Sequence, residues 1–112
     1  MIVRTAVLEG SVPEADRAAF DQQMQGNVLD AIASYPGIRD VRLRRPAETE
    51  AGAPAIYMQF DLYFDSLEAM RAALASPVRL KVRETIGAVM KVFDGRVYHL
   101  IMEEGVPVCP NA

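Results

Sequence analysis

Residues 55–64, AIYMQFDLYF, constrain this chain more than any other stretch. Ile56, Met58, Phe60, Leu62 and Phe64 alternate with Tyr57, Gln59, Asp61 and Tyr63. Successive side chains of an extended strand point to opposite sides of a sheet, so this segment predicts a strand with one apolar face. That face must be covered by another layer. Three further segments read as strands. Residues 2–9 are rich in β-branched side chains and stop at Gly10; residues 38–45 alternate and stop at Pro46; residues 96–104 follow an Asp94-Gly95 pair that predicts a tight turn.

The covering layer is equally visible. Phe20, Met24, Val28 and Ile32 recur every four residues, with Leu29 and Ala33 beside them, until Tyr35-Pro36-Gly37 ends the pattern. This is the stripe of an amphipathic helix lying on a sheet. Ser11 with Glu14, and Asp65 with Glu68, predict capping boxes at the starts of two helices. In the second, Leu67, Met70 and Leu74 face inward. Ser76-Pro77 then breaks the helix, and Val78, Val82, Ile86, Val89 and Phe93 continue at helical spacing. Residues 46–54, with Glu48, Thr49, Glu50 and Gly52, predict a polar hairpin loop. Met24, Met58, Met70 and Met90 fall at core-like positions, where soft filler side chains are expected.

The order is β-α-β-β-α-β with the second helix split. That is the α+β ferredoxin-like pattern: a four-stranded antiparallel sheet with its helices on one face. The other face then carries Tyr57, Gln59, Asp61 and Tyr63, too aromatic for a plain solvated surface and too polar for a dry core. A second copy packed sheet to sheet would cover it and make a dimeric α+β barrel, so a homodimer is expected. The alternative is a monomer with an amphipathic open face.

With 112 residues the chain suits one domain, 1–104, with a tail at 105–112. Hydrophobic residues at 51% and charged residues at 24% exclude a disordered chain. The net charge of -3 supplies no field to attract nucleic acid or an anionic membrane, and neither partner is expected. The ferredoxin-like order also belongs to RRM domains. Residues 56–60 (Ile-Tyr-Met-Gln-Phe) lack the glycine and basic residue of the RNA-binding strand signature. Arg39, Arg42, Arg44 and Arg45 instead predict a charged guard on an edge strand. No apolar run approaches the ~20 residues of a membrane span. No secretory signal is visible, Arg4 interrupting the start. One cysteine, Cys109, excludes an intrachain disulfide, and a cytoplasmic setting is expected. Cys109 reads as an exposed thiol between prolines; as a nucleophile it would need His99 for a base.

His99 is the only imidazole, the side chain whose ordinary pKa lies nearest neutrality. Alternation gives it a face with Val97, Ile101 and Glu103. On the barrel side it could meet Asp61 or a tyrosine and act as a base or binding group. The competing reading is a histidine hydrogen-bonded at a dimer interface. Asp61 with Tyr57, Gln59 and Tyr63 forms a polar-aromatic group that suits either a planar ligand or cross-sheet contacts. No Gly-rich phosphate loop, metal motif or catalytic triad stands out, a single histidine argues against haem or zinc, and no cofactor is expected.

Residues 60–69, Phe-Asp-Leu-Tyr-Phe-Asp-Ser-Leu-Glu-Ala, resemble the "ELYFDSLEAL" signature of the EthD family within the dimeric α+β barrel superfamily. Ala19-Phe20-Asp21, Pro36-Gly37-Ile38 and residues 72–77 (Ala-Ala-Leu-Ala-Ser-Pro) fall where that family places "AFD", "PGL" and "AALASP". The resemblance implies a dimer that binds small organic molecules. Relatives include an accessory protein of ether degradation, aromatic-lactone isomerases and cofactor-free monooxygenases. One departure matters. Gln23, Asn27 and Val28 stand where the family's "HYxxTHxPL" run has histidine, threonine and histidine. Acid-base chemistry tied to that second histidine cannot operate from a valine.

The expected function is therefore a small-molecule-binding homodimer for an apolar or aromatic organic ligand held between sheet and helices. Met24, Asn27, Val28 and Met58 are the expected pocket wall, with His99, Tyr57, Asp61 and Tyr63 as polar candidates. Two alternatives remain open: a cofactor-independent isomerase, cyclase or monooxygenase with His99 or a tyrosine as its base, and a non-catalytic accessory protein.

Overall fold

The computed structural model describes residues 1–105, and Cys109 lies outside them. Four strands, β1 (Ile2–Ser11), β2 (Asp40–Arg44), β3 (Ile56–Phe64) and β4 (Asp94–Glu103), form one antiparallel sheet in the order β2-β3-β1-β4. Ala6 pairs with Phe60 on one side and His99 on the other, and Phe60 pairs with Leu43. Directly opposed residues share a face. Leu43, Phe60, Ala6 and His99 therefore lie in one row across the sheet. The core gathers Leu8, Met58, Phe60, Leu62 and Phe64 from this face with Phe20, Met24, Val28, Ile32, Met70 and Val82 from the helices. The helices thus cover a single face, and the fold is ferredoxin-like α+β.

The helical layer consists of α1 (Glu14–Gln23), α2 (Leu29–Ala33), α3 (Leu67–Leu74) and α4 (Val78–Val89). A π-helical turn, Met24–Val28, joins α1 to α2, and a 3-10 turn, Met90–Val92, follows α4. The π turn explains how a stripe spaced by four stays buried. In a regular α-helix each four-residue step drifts about 40° around the axis, so Ile32 would end about 120° from Phe20. A wider turn in between takes up that drift. Phe20, Met24, Val28 and Ile32 are accordingly all 4% exposed or less.

Local chemistry departs from the simple reading at four places. Ser11 closes β1 rather than capping α1; Pro13 occupies the cap position and no side chain caps the helix. At α3 the cap is Ser66, whose hydroxyl accepts from the Ala69 amide at 3.1 Å, while Asp65 instead takes Arg39. Asp94 and Gly95 form no turn. They open β4, and Gly95 pairs with Gly10 at φ 154° and 148°. A Cβ on either would lie 2.1 Å from the opposite carbonyl oxygen, so this crossing requires glycine on both strands. Finally, the register shifts between Leu8 and Glu9, leaving Tyr57 as an extra residue in β3. Such a bulge re-aims side chains. Tyr57 turns to the helices, its ring 5.4 Å from Phe20 and 6.1 Å from Phe93.

Edge strand β2 is guarded by paired arginines: Arg42 with Asp40, Arg44 with Asp61, and Arg45, just past its end, with Asp21. On the opposite edge, β4 leaves Val97, Leu100, Ile101 and Met102 between 41% and 51% exposed. No helix among the described residues is long and apolar enough to cross a membrane.

Candidate functional site

A cavity of about 450 Å³ lies between the helices and the β1–β4 half of the sheet. Its apolar wall includes Leu8, Met24, Val28, Ile32, Val82, Ile86 and Met90. The π turn supplies Met24 and Val28; α4 supplies Val82 and Ile86 one turn apart on its inner side. α4 packs on the π turn and α2, while the helix-facing side of β4 stays exposed at Val97 and Ile101. The cavity fills the space that these helices leave over β4.

Five polar side chains join the wall: Arg4, Tyr35, Arg79, Arg83 and His99. Arg4 stands in the row Ile2, Arg4, Ala6, Leu8, and its partners across the sheet are Leu62 and Ile101. It is therefore a cation on the helix-covered face. Arg79 and Arg83 lie four residues apart on α4, on one side of the helix. Tyr35 follows α2 and is 5% exposed. His99 pairs with Ala6 and sits diagonally across from Arg4.

These groups shape one another's protonation. Burial, and then the guanidiniums of Arg79 and Arg83, lower the Arg4 pKa, while Tyr35 opposes them. Burial raises the Tyr35 phenol above its ordinary value against the pull of the three arginines. Partial burial first, then Arg4 and Arg79, depress the His99 imidazole. The residue as a whole is nonetheless exposed. At pH 7 the site thus presents guanidinium cations, a neutral phenol and a neutral imidazole.

The structure brings only some of the expected residues together. Met24, Val28 and His99 line the cavity. Asn27 does not: it points outward on the π turn and donates to Gln23 Oε1 at 2.8 Å. Met58 is 0% exposed and belongs to the packed core away from the cavity wall. Tyr57 is held elsewhere, its hydroxyl donating to Asp21 Oδ1 at 2.6 Å. Burial and that carboxylate push its pKa up to about 12. Asp61 and Tyr63 lie on the open face of the sheet, opposite to His99, so Asp61 cannot orient the imidazole within one chain. Asp61 instead accepts from Thr5 Oγ1 at 2.9 Å and Gln59 Nε2 at 3.0 Å, and pairs with Arg44 at 2.9 Å. Tyr63 stacks under the Arg42 guanidinium at 4.9 Å.

Arg4, Tyr35, Arg79 and Arg83 are the site residues that reasoning from sequence missed. Two signals pointed to the arginines, and none to Tyr35. Arg4 is a charge at an inward position of an alternating strand, and Arg79 with Arg83 is a like-charge pair at helical spacing, each unfavourable without a purpose.

Solved structures of similar shape agree with this architecture. An EthD family protein from Bacillus halodurans is 24% identical over 94% of this chain and all of its own, with a TM-score of 0.71. The chain has the ferredoxin-like fold of that protein. A monooxygenase of Streptomyces coelicolor, solved with the ligand nanaomycin D, is 16% identical over 98% of this chain and 92% of its own, at a TM-score of 0.65. A Bacteroides fragilis protein described as dimeric and ferredoxin-like is 15% identical over 92% and 96%, at 0.62. No protein-family model matches the chain, and neither does any curated protein. The resemblance of residues 60–69 to the EthD signature is thus met by a shared fold with an EthD family protein.

Proposed function

We propose that this chain is a homodimeric binding protein for a small, mostly apolar organic molecule. The ligand occupies the cavity between the helices and β4. The cavity itself carries this reading: about 450 Å³, an apolar wall and a few convergent polar groups match the size and chemistry of small-molecule sites. The nanaomycin D complex of the Streptomyces monooxygenase supports it, as one organic ligand held by a protein of this fold. The dimer is supported by the exposed Leu100 and Met102 on the open face of β4 and by the dimeric Bacteroides neighbour. Native mass spectrometry of the purified protein, gentle and then denaturing, tests both points. The expected result is a dimer carrying extra mass that denaturation releases. A clean apoprotein dimer would move weight to an accessory role, and a monomer would remove the dimer.

A second reading rests on His99. A neutral imidazole at a cavity wall, beside guanidiniums that can stabilise developing negative charge, has the makings of a general base for cofactor-independent proton transfer. If it acts so, His99→Ala abolishes turnover of an aromatic substrate while leaving the assembly intact. An unchanged rate removes His99 from that role.

A further inference from the structure

We propose that the ligand of this cavity is an organic acid, an apolar body ending in one carboxylate that docks on the guanidiniums of Arg4, Arg79 and Arg83. This rests on the cavity being a ligand site and names the class of molecule it takes. The arginines of this chain differ in whether a carboxylate stands beside them. Arg39, Arg42, Arg44, Arg45 and Arg96 each have a carboxylate within 3 Å. These are surface arginines, for which pairing matters little. Arg4 and Arg79, both part-buried, and the exposed Arg83 line one cavity and have no carboxylate within 4.0 Å among the described residues, although Arg79 donates to the Leu74 carbonyl oxygen at 3.5 Å. Glu103 faces the same side of β4 as His99, but it is exposed at the strand's end and makes no ion pair among the described residues.

Like charges gathered around one cavity repel one another, and an anion that completes the group relieves that repulsion. The cluster does not arise from one helix face alone. Arg4 comes from a central strand and Arg79 and Arg83 from α4, so the cations approach the cavity from two walls. Tyr35 and His99, both neutral at pH 7, add an O–H and an N–H donor without supplying negative charge. Guanidinium forks match the two oxygens of a carboxylate, and charge-assisted bonds of this kind are the strong ones. The remaining wall is apolar, aliphatic side chains together with Phe60, which suits a hydrocarbon or aromatic body. It holds neither a lysine nor a glycine-rich backbone nest of the sort that phosphate sites commonly use.

Three probes of one shape separate the possibilities by isothermal titration at fixed ionic strength: 2-naphthoate, methyl 2-naphthoate and 2-naphthyl phosphate. The acid is expected to bind about tenfold or more tighter than its uncharged ester, as charge-assisted bonds imply. Arg79→Gln and Arg83→Gln should each shrink that preference, weakening the acid by a larger factor than the ester. Equal binding of acid and ester would overturn the acid assignment while leaving the cavity as a ligand site. Stronger binding of the phosphate than of the carboxylate would overturn the choice of anion. Binding of none of the three would sink the assignment together with the reading of the cavity.

Discussion

Protonating His99 would add a cation to a wall that already holds Arg4, Arg79 and Arg83, with Glu103 as the nearest carboxylate on its own strand and Tyr35 neutral. The depressed pKa means that the unfolded chain binds this proton more readily than the folded one. Between the ordinary value of 6.5 and the lower folded value, stability must then rise with pH and fall on acidification. His99→Asn should flatten that dependence, read as the urea midpoint at pH 5 and pH 7. A variant as acid-sensitive as the parent would place the titrating group elsewhere. At this scale the sequence was only half legible. His99 stood out because it is unique, and Met24 and Val28 because of their stripe. Asn27 and Tyr57 misled for a common reason. Each sits at a local irregularity, a π turn or a β-bulge, that shifts side-chain direction by one position without a mark in hydrophobic periodicity. Asp61 and Tyr63 misled differently: alternation assigned them correctly to one face, but only the register of β1 against β4 says that His99 occupies the other.

The elements themselves were plain to read, because strand alternation and helical stripes recur over whole segments and survive small errors at their ends. Their joints were not. A capping box is a match of residue types, and at Ser11 the strand continues through the would-be cap. Asp-Gly commonly marks a turn, yet at Asp94-Gly95 the glycine serves a close strand crossing with Gly10 instead. That crossing has a measurable cost of substitution. Gly10→Ala must bear an unfavourable φ of 148° and a Cβ 2.1 Å from the Asp94 carbonyl oxygen. A loss of about 2–3 kcal/mol is expected from strain of this kind, with the β1–β4 end splayed. Denaturant unfolding measures the loss, and amide exchange across residues 94–97 locates it. A neutral Gly10→Ala would mean that the two backbones lie further apart than described.

For the molecule as a whole, the imbalance lies between two faces of one sheet. Helices cover one; the other keeps Asp61 bound to Thr5 and Arg44, and leaves Leu100 and Met102 about half exposed. Exposed apolar side chains on an edge strand invite a partner. Leu100→Glu would place a charge where the proposed second copy packs, without touching the cavity on the far side of β4. Sedimentation velocity should then report a monomer where the parent is a dimer. A dimer of undiminished strength would move the contact away from this face.

The π turn also says something about chain length. Between Phe20 and Ile32 a plain α-helix would align side chains about eleven residues apart, and here there are twelve steps, so the turn behaves as one residue inserted into an otherwise ordinary helix. Removing the exposed Gln25 would let α1 run into α2 unbroken, with Phe20 and Ile32 still facing the sheet. What it would lose is the extra spacing between Met24 and Val28, about 1.5 Å of cavity wall. A length change of a single residue is thus a route by which this scaffold can resize its cavity while keeping its core.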